Sequence, residues 1–82
     1  MIPKQCARKA QQVDIEVGLN IRNKRRKLKL TQVQLARAIG VTFQQVQKYE
    51  SAKNRVSASR LYQIARIFNC EEQSLFPPRK KV

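Results

Sequence analysis

Residues 31–50, TQVQLARAIGVTFQQVQKYE, constrain this chain more than any other stretch. They hold two short patterns of helical spacing on either side of a single glycine. Leu35, Ala36 and Ile39 share one side of the first pattern, and Val46 and Tyr49 share one side of the second. Thr31 and Thr42 stand where a side-chain oxygen can accept from the free N–H groups of a first helical turn. Gly40 lies between them, where the chain must pass through a left-handed conformation that glycine adopts at least cost. The spacing predicts two short helices that meet across a tight turn.

The flanking sequence reads as a scaffold for that pair. A first helix is expected to start near Asp14 as its N-cap, with Val17, Ile21 and Leu28 as its buried stripe. Gly18 interrupts this helix at a cost in propensity, which points to a close approach by another helix. Ser51 to Val56 read as a loop. Ser57 then caps a helix that buries Leu61, Ile64, Ala65 and Phe68, and Asn69 is a candidate left-handed C-cap. Glu71 to Phe76 are expected to form a short fifth helix, stopped by Pro77 and Pro78. No β-type alternation and no internal repeat is present. The expected fold is all-α, a compact bundle of five short helices over residues 13–76, between a flexible basic arm (1–12) and a basic tail (77–82).

A chain of 82 residues supports one small core and no enclosed ligand cavity. Its hydrophobic fraction of 41% is enough for a packed helical domain. No apolar run reaches the roughly 18 residues of a membrane span, and the N-terminus lacks the apolar stretch of a signal peptide. A soluble, cytoplasmic protein is expected. Cys6 and Cys70 are far apart and the chain has no histidine, so no metal-ligand spacing exists and both thiols read as inert. Without histidine, with five scattered acids and without a glycine-rich phosphate loop, neither an enzyme nor a bound cofactor is expected.

Charge narrows the partner. Eighteen Lys and Arg against five acids give a formal net charge of +13, which implies a polyanion. Arg22, Lys24, Arg25, Arg26, Lys27 and Lys29 crowd into one short segment, and Lys4, Arg8, Lys9, Arg79, Lys80 and Lys81 add to the ends. A solvated helix face mixes signs; this cluster does not. Nucleic acid is the favoured partner.

Sorting the second helix of the pair at about 100° per residue puts Val46 and Tyr49 inward. Gln44 and Lys48 then point outward, with Gln47 and Phe43 on the adjoining flank. Glutamine can bond an adenine edge, lysine reaches the guanine acceptors, and an aromatic ring packs on the thymine methyl. Thr42 and Gln45, at the borders, suit phosphates or a neighbouring base. A surface helix needs only some polar outer face, but Glu and Lys would serve solubility better than Gln44, Gln45 and Gln47 do.

The segment resembles the helix-turn-helix of the phage repressor and Cro family, the Xre-like group of bacterial regulators. The resemblance rests on Gln32, Leu35-Ala36, Gly40-Val41, Val46 and Tyr49-Glu50, and it extends from about Gly18 to Phe76. It implies a lambda-repressor-like domain that binds double-stranded DNA. It also implies that Gln32 bonds a backbone phosphate and that Phe43, Gln44 and Lys48 reach base edges. Arg25 and Glu50 match a pair that in relatives forms a partly buried salt bridge. The other basic residues near Arg25, together with Lys53 and Arg55 in the loop, are candidate phosphate contacts.

Three residues depart from the family pattern. Lys29 and Ala52 stand at turn positions where relatives often carry glycine, and Phe43 replaces a residue that is often polar. Phe43 either packs on thymine methyls or covers the scaffold. The expected function is a sequence-specific regulator, a repressor, acting as a homodimer on a near-palindromic operator in the bacterial nucleoid. Tyr62, Leu75 and Phe76 are the candidate dimer contacts, each also explicable as core. An antitoxin that also binds a toxin protein and a restriction–modification controller are alternatives within DNA binding. A non-specific RNA or membrane-surface binder is the alternative outside it.

Overall fold

The computed structural model describes residues 10–78. The expected basic arm up to residue 9 and the tail from residue 79 lie outside these residues. Four α-helices follow in order: α1 (Ala10–Lys27), α2 (Gln32–Ile39), α3 (Phe43–Glu50) and α4 (Ala58–Phe68). A 3-10 helix, Glu72–Leu75, closes the bundle.

α1 starts earlier than the sequence suggested. It runs from Ala10, so Asp14 is an interior helical residue and not the N-cap, and residues 10–12 belong to the helix. Asp14 instead accepts an ion pair from Arg55, at 3.0 Å. Val17 and Ile21 form the buried stripe as expected, but Leu28 is 46% exposed. The helix ends at Lys27 and the chain then turns through Lys29 at φ 59°, which carries Leu28 off the stripe. Leu30, past the turn, packs against the core in its place. Four basic residues, Lys24 to Lys27, occupy the last turn, where the helix dipole favours positive charge.

The caps of the next two helices are local and complete. Thr31 accepts from the Gln34 N–H at 3.0 Å, and the Gln34 side chain accepts in return from the Thr31 N–H at 2.8 Å. This reciprocal pairing satisfies two donors that the helix leaves free. Gly40 ends α2 at φ 75°, ψ 34°, a left-handed C-cap. Thr42 accepts from the Gln45 N–H at 3.2 Å and starts α3. Ser57 caps α4 through the Arg60 N–H, and Asn69 ends it at φ 53°. Such a C-cap gives the orphan carbonyls of the last turn a donor without continuing the helix.

The core is a single cluster built from all the elements: Val17 and Ile21, Leu35, Ala36 and Ile39, Val46 and Tyr49, Leu61, Ile64, Ala65 and Phe68, and Leu75. Gly18 is where α1 crosses the end of α3. A Cβ there would stand 2.5 Å from the Tyr49 carbonyl oxygen and 2.8 Å from that of Glu50, so only a hydrogen fits. Two longer-range bonds lock the periphery. Arg60 donates to the Ile39 carbonyl at 2.7 Å, and Asn20 donates to the Leu75 carbonyl at 3.0 Å.

The expected fifth helix is present only as the four-residue 3-10 turn. Phe76 is held extended before Pro77, which leaves no length for an α-helical turn. Leu75 is fully buried beneath this turn and is core, which removes it from the candidate dimer contacts. Tyr62 and Phe76 are exposed.

Candidate nucleic-acid interface

Each turn of α3 has an inside and an outside with different chemistry. Val46, Tyr49 and Glu50 are buried, whereas Phe43, Gln44, Gln47 and Lys48 are exposed. Gln44, Gln47 and Lys48 line one open hollow of about 400 Å3 together with Ser51 and Lys53. Two amides, an ammonium and a loop lysine therefore converge on one side of the helix. Phe43, at the first position of α3, is 42% exposed and leaves much of its ring uncovered. Thr42 is exposed and Gln45 half-buried, at the border the sequence assigned them. The Thr42 oxygen accepts from the backbone, which leaves its hydroxyl proton to donate outward.

Beneath this surface lies a buried ion pair. Arg25 Nε donates to Glu50 Oε2 at 2.6 Å and its Nη2 to Oε1 at 3.2 Å, a bidentate match. A third Arg25 nitrogen, Nη1, donates to the Leu30 carbonyl at 2.7 Å. No buried side-chain nitrogen or oxygen lacks a partner among the described residues. That completeness matters, because a buried charge without partners costs several kcal/mol.

Gln32 sits at the first position of α2, half-buried, and its Nε2 donates to Glu50 Oε1 at 3.1 Å. The sequence pointed to a phosphate role for Gln32 but gave no sign of this bond. One of its two amide protons is committed to Glu50, which leaves the other to reach outward. Lys53 and Arg55 are both exposed in the loop after α3. They diverge in what they do there: Lys53 joins the α3 hollow, whereas Arg55 turns to Asp14 on α1. Arg60 carries no sign of its bond to the Ile39 carbonyl in the sequence, where nothing nearby marks a residue that reaches back to α2.

No helix among the described residues is long and apolar enough to cross a membrane. No group of three or more potential metal ligands occurs among them either.

The family model described as helix-turn-helix matches residues 21–75. The chain belongs to this helix-turn-helix family. An uncharacterized transcriptional regulator in the ATPase CF(0) region of Rhodospirillum rubrum is 52% identical over 65 residues, covering 79% of this chain and 60% of that protein. Two uncharacterized HTH-type transcriptional regulators of Sinorhizobium fredii are 56% and 48% identical, and the chain spans about half the length of each, 44% and 51%. Among solved structures, the restriction-modification controller protein C.AhdI from Aeromonas hydrophila superimposes with a TM-score of 0.72 at 26% identity, over 76% of this chain and 94% of that one. The fold is not confined to regulators. Hydroxypropylphosphonic acid epoxidase from S. wedmorenis matches with a TM-score of 0.77 at 20% identity, but over only 37% of its own chain, a likeness of fold alone.

Proposed function

We propose that this chain is a sequence-specific double-stranded DNA-binding transcriptional regulator, acting as a homodimer that represses from a near-palindromic operator. One observation carries the reading. Within a helix-turn-helix, α3 buries Val46, Tyr49 and Glu50 and turns Phe43, Gln44, Gln47 and Lys48 to solvent. The exposed four have the hydrogen-bonding and apolar groups that distinguish base pairs in the major groove. Gln32, Thr42, Gln45 and Lys53 take the phosphates on either side, and the +13 charge draws the protein to DNA. Arg55, drawn toward Asp14, is the weakest of the proposed phosphate contacts.

A homodimer answers the small contact area of one module. A single module of this kind buries little surface on DNA, and two symmetric copies on half-sites about one helical turn apart supply the rest. The exposed aromatic residues Tyr62 on α4 and Phe76 after the 3-10 turn are available for a dimer contact.

Selection of bound sequences from random duplex DNA, at about 150 mM salt, tests the reading. An enriched palindrome is the expected outcome, and binding without any enriched sequence refutes it. A second reading, control of a restriction–modification system, draws on the likeness to C.AhdI. It predicts that the selected operator recurs upstream of a methyltransferase or endonuclease gene.

A further inference from the structure

The basic cluster on α1 is only partly accounted for by the fold. Arg25 is buried in its pair with Glu50, but Arg22 and Arg26 are exposed. Neither makes an ion pair or a side-chain hydrogen bond with another described residue. Both line an open cleft of about 420 Å3 between α1 and the helix-turn-helix, together with Arg25, Gln32, Gln47, Glu50 and Ser51.

The cleft has a layered electrostatic build. Its one carboxylate, Glu50, is bonded by both Arg25 and Gln32 and has little acceptor capacity left. Three arginines against one glutamate leave the cleft a net two positive charges, carried at its mouth by Arg22 and Arg26. Around them stand the Gln32 and Gln47 amides, both capable of donating to an anion, whereas the Ser51 hydroxyl gives its proton to the Lys48 carbonyl at 3.4 Å. Gln32 also brings the first turn of α2, whose free N–H groups favour negative charge. The cleft is open and is not a pocket for a free metabolite. It suits a tetrahedral anion presented on a polymer, and arginine is the side chain best matched to phosphate oxygens.

The cleft and the α3 hollow share Gln47 and Ser51. A duplex whose major groove holds the outer face of α3 therefore brings its backbone to the α1 side as well. We propose that Arg22 and Arg26 form a phosphate seat on the α1 flank of the recognition helix, taking DNA backbone phosphates next to the one reached by Gln32. The inference rests on the DNA-binding reading above and extends it to a segment outside the helix-turn-helix. Gln47 then becomes the hinge residue between base reading and backbone positioning, at the junction of the two surfaces.

The salt dependence of binding tests this seat. Affinity for the selected operator and for a random duplex is measured from about 50 to 300 mM salt, for the parent chain, R22Q/R26Q and K53Q. Each phosphate contact contributes about 0.9 to the slope of log K against log salt. R22Q/R26Q is expected to flatten that slope by nearly two units on both duplexes, with the ranking of sequences unchanged. An R37Q variant lowers the net charge at an exposed residue of α2 that lines neither the cleft nor the α3 hollow, and it is expected to leave the slope unaltered. If K53Q flattens the slope but R22Q/R26Q does not, the seat is refuted while DNA binding stands. If R37Q flattens the slope as much per charge as R22Q/R26Q, the effect is general charge and the seat is again refuted. If the parent chain binds neither duplex, the DNA-binding reading fails and the seat with it. Circular dichroism melting of each variant confirms that the fold is intact, as expected for exposed side chains.

Discussion

Gln32 at the head of α2 and Glu50 at the foot of α3 are joined by a 3.1 Å hydrogen bond. Glu50 also carries the bidentate Arg25, so one carboxylate ties together α1, α2 and α3. Removing it leaves a guanidinium buried without its counter-ion. Glu50→Ala is expected to destabilise the fold by about 3–5 kcal/mol, as for other broken buried pairs. Urea denaturation followed by circular dichroism measures this, and a loss below about 1 kcal/mol would show that water replaces Glu50 without penalty.

Gly18→Ala trades a small gain in helix propensity for a collision. The added Cβ meets the carbonyl oxygens of Tyr49 and Glu50, and backbone atoms cannot swing aside as a side-chain tip does. A net loss of about 1–3 kcal/mol is expected, the range for overpacked cores, despite a propensity gain of up to about 1 kcal/mol. DNA affinity should fall as well, because the end of α3 has to move. A variant as stable as the parent would mean that α1 shifts away freely.

Two of the three non-glycine residues with positive φ should respond in the opposite direction. Lys29 and Ala52 sit at φ 59° and 61°, where a Cβ costs about 1–2 kcal/mol. Glycine relieves this but loses more chain entropy on folding, so each of Lys29→Gly and Ala52→Gly should stabilise by about 0.5–1 kcal/mol. The sites are in different turns, and the double variant should be close to additive. Thermal melting decides it, and no rise in Tm in either variant would contradict the strain.

Most of the inner half of this protein is legible in its sequence. Thr31, Gly40, Thr42, Ser57 and Asn69 act through backbone groups within a few residues, so their spacing alone announces them. Leu35, Ile39, Val46, Leu61 and Phe68 follow from helical period. Leu28 shows where period fails, because it cannot say in which turn the helix stops. The same holds at the other end, where α1 runs back through Asp14 to Ala10. Leu75 shows that an apolar residue in a short turn has no sequence mark of whether it is covered. The bonds from Gln32 to Glu50, Arg60 to Ile39 and Asn20 to Leu75 link separate elements, and no local pattern encodes them. The Thr31–Gln34 capping box is a different case, because its spacing is itself a local signal in the sequence.

Phe43 separates two roles by experiment. At 42% exposure it buries too little for its removal to collapse the core, so Phe43→Ala should cost under about 1.5 kcal/mol of stability. The same substitution should weaken the preference for thymine at one position of each half-site. A large loss of stability with unchanged preference would assign Phe43 to the scaffold.

Lys48 and Lys53 share the α3 hollow but are expected to act differently. Lys48→Ala should change which sequences are enriched, whereas Lys53→Ala should weaken all of them alike. Parallel selections with both variants check this, and identical enriched sequences from the parent and Lys48→Ala would remove Lys48 from the base contacts.

The glycines of the described fold guard against different things. At Gly40 the backbone is left-handed, yet a Cβ would meet nothing within 4 Å. The demand there is one of handedness, which this chain meets elsewhere with Asn69, Lys29 and Ala52 at bounded cost. At Gly18 the backbone is ordinary helix and the demand is one of volume, set by two carbonyl oxygens that no rotamer can move. A sequence drifting away from this one can therefore lose the glycine of its turn and keep its shape. Losing the glycine of its first helix forces the two helices apart, and with them the angle at which α3 is offered.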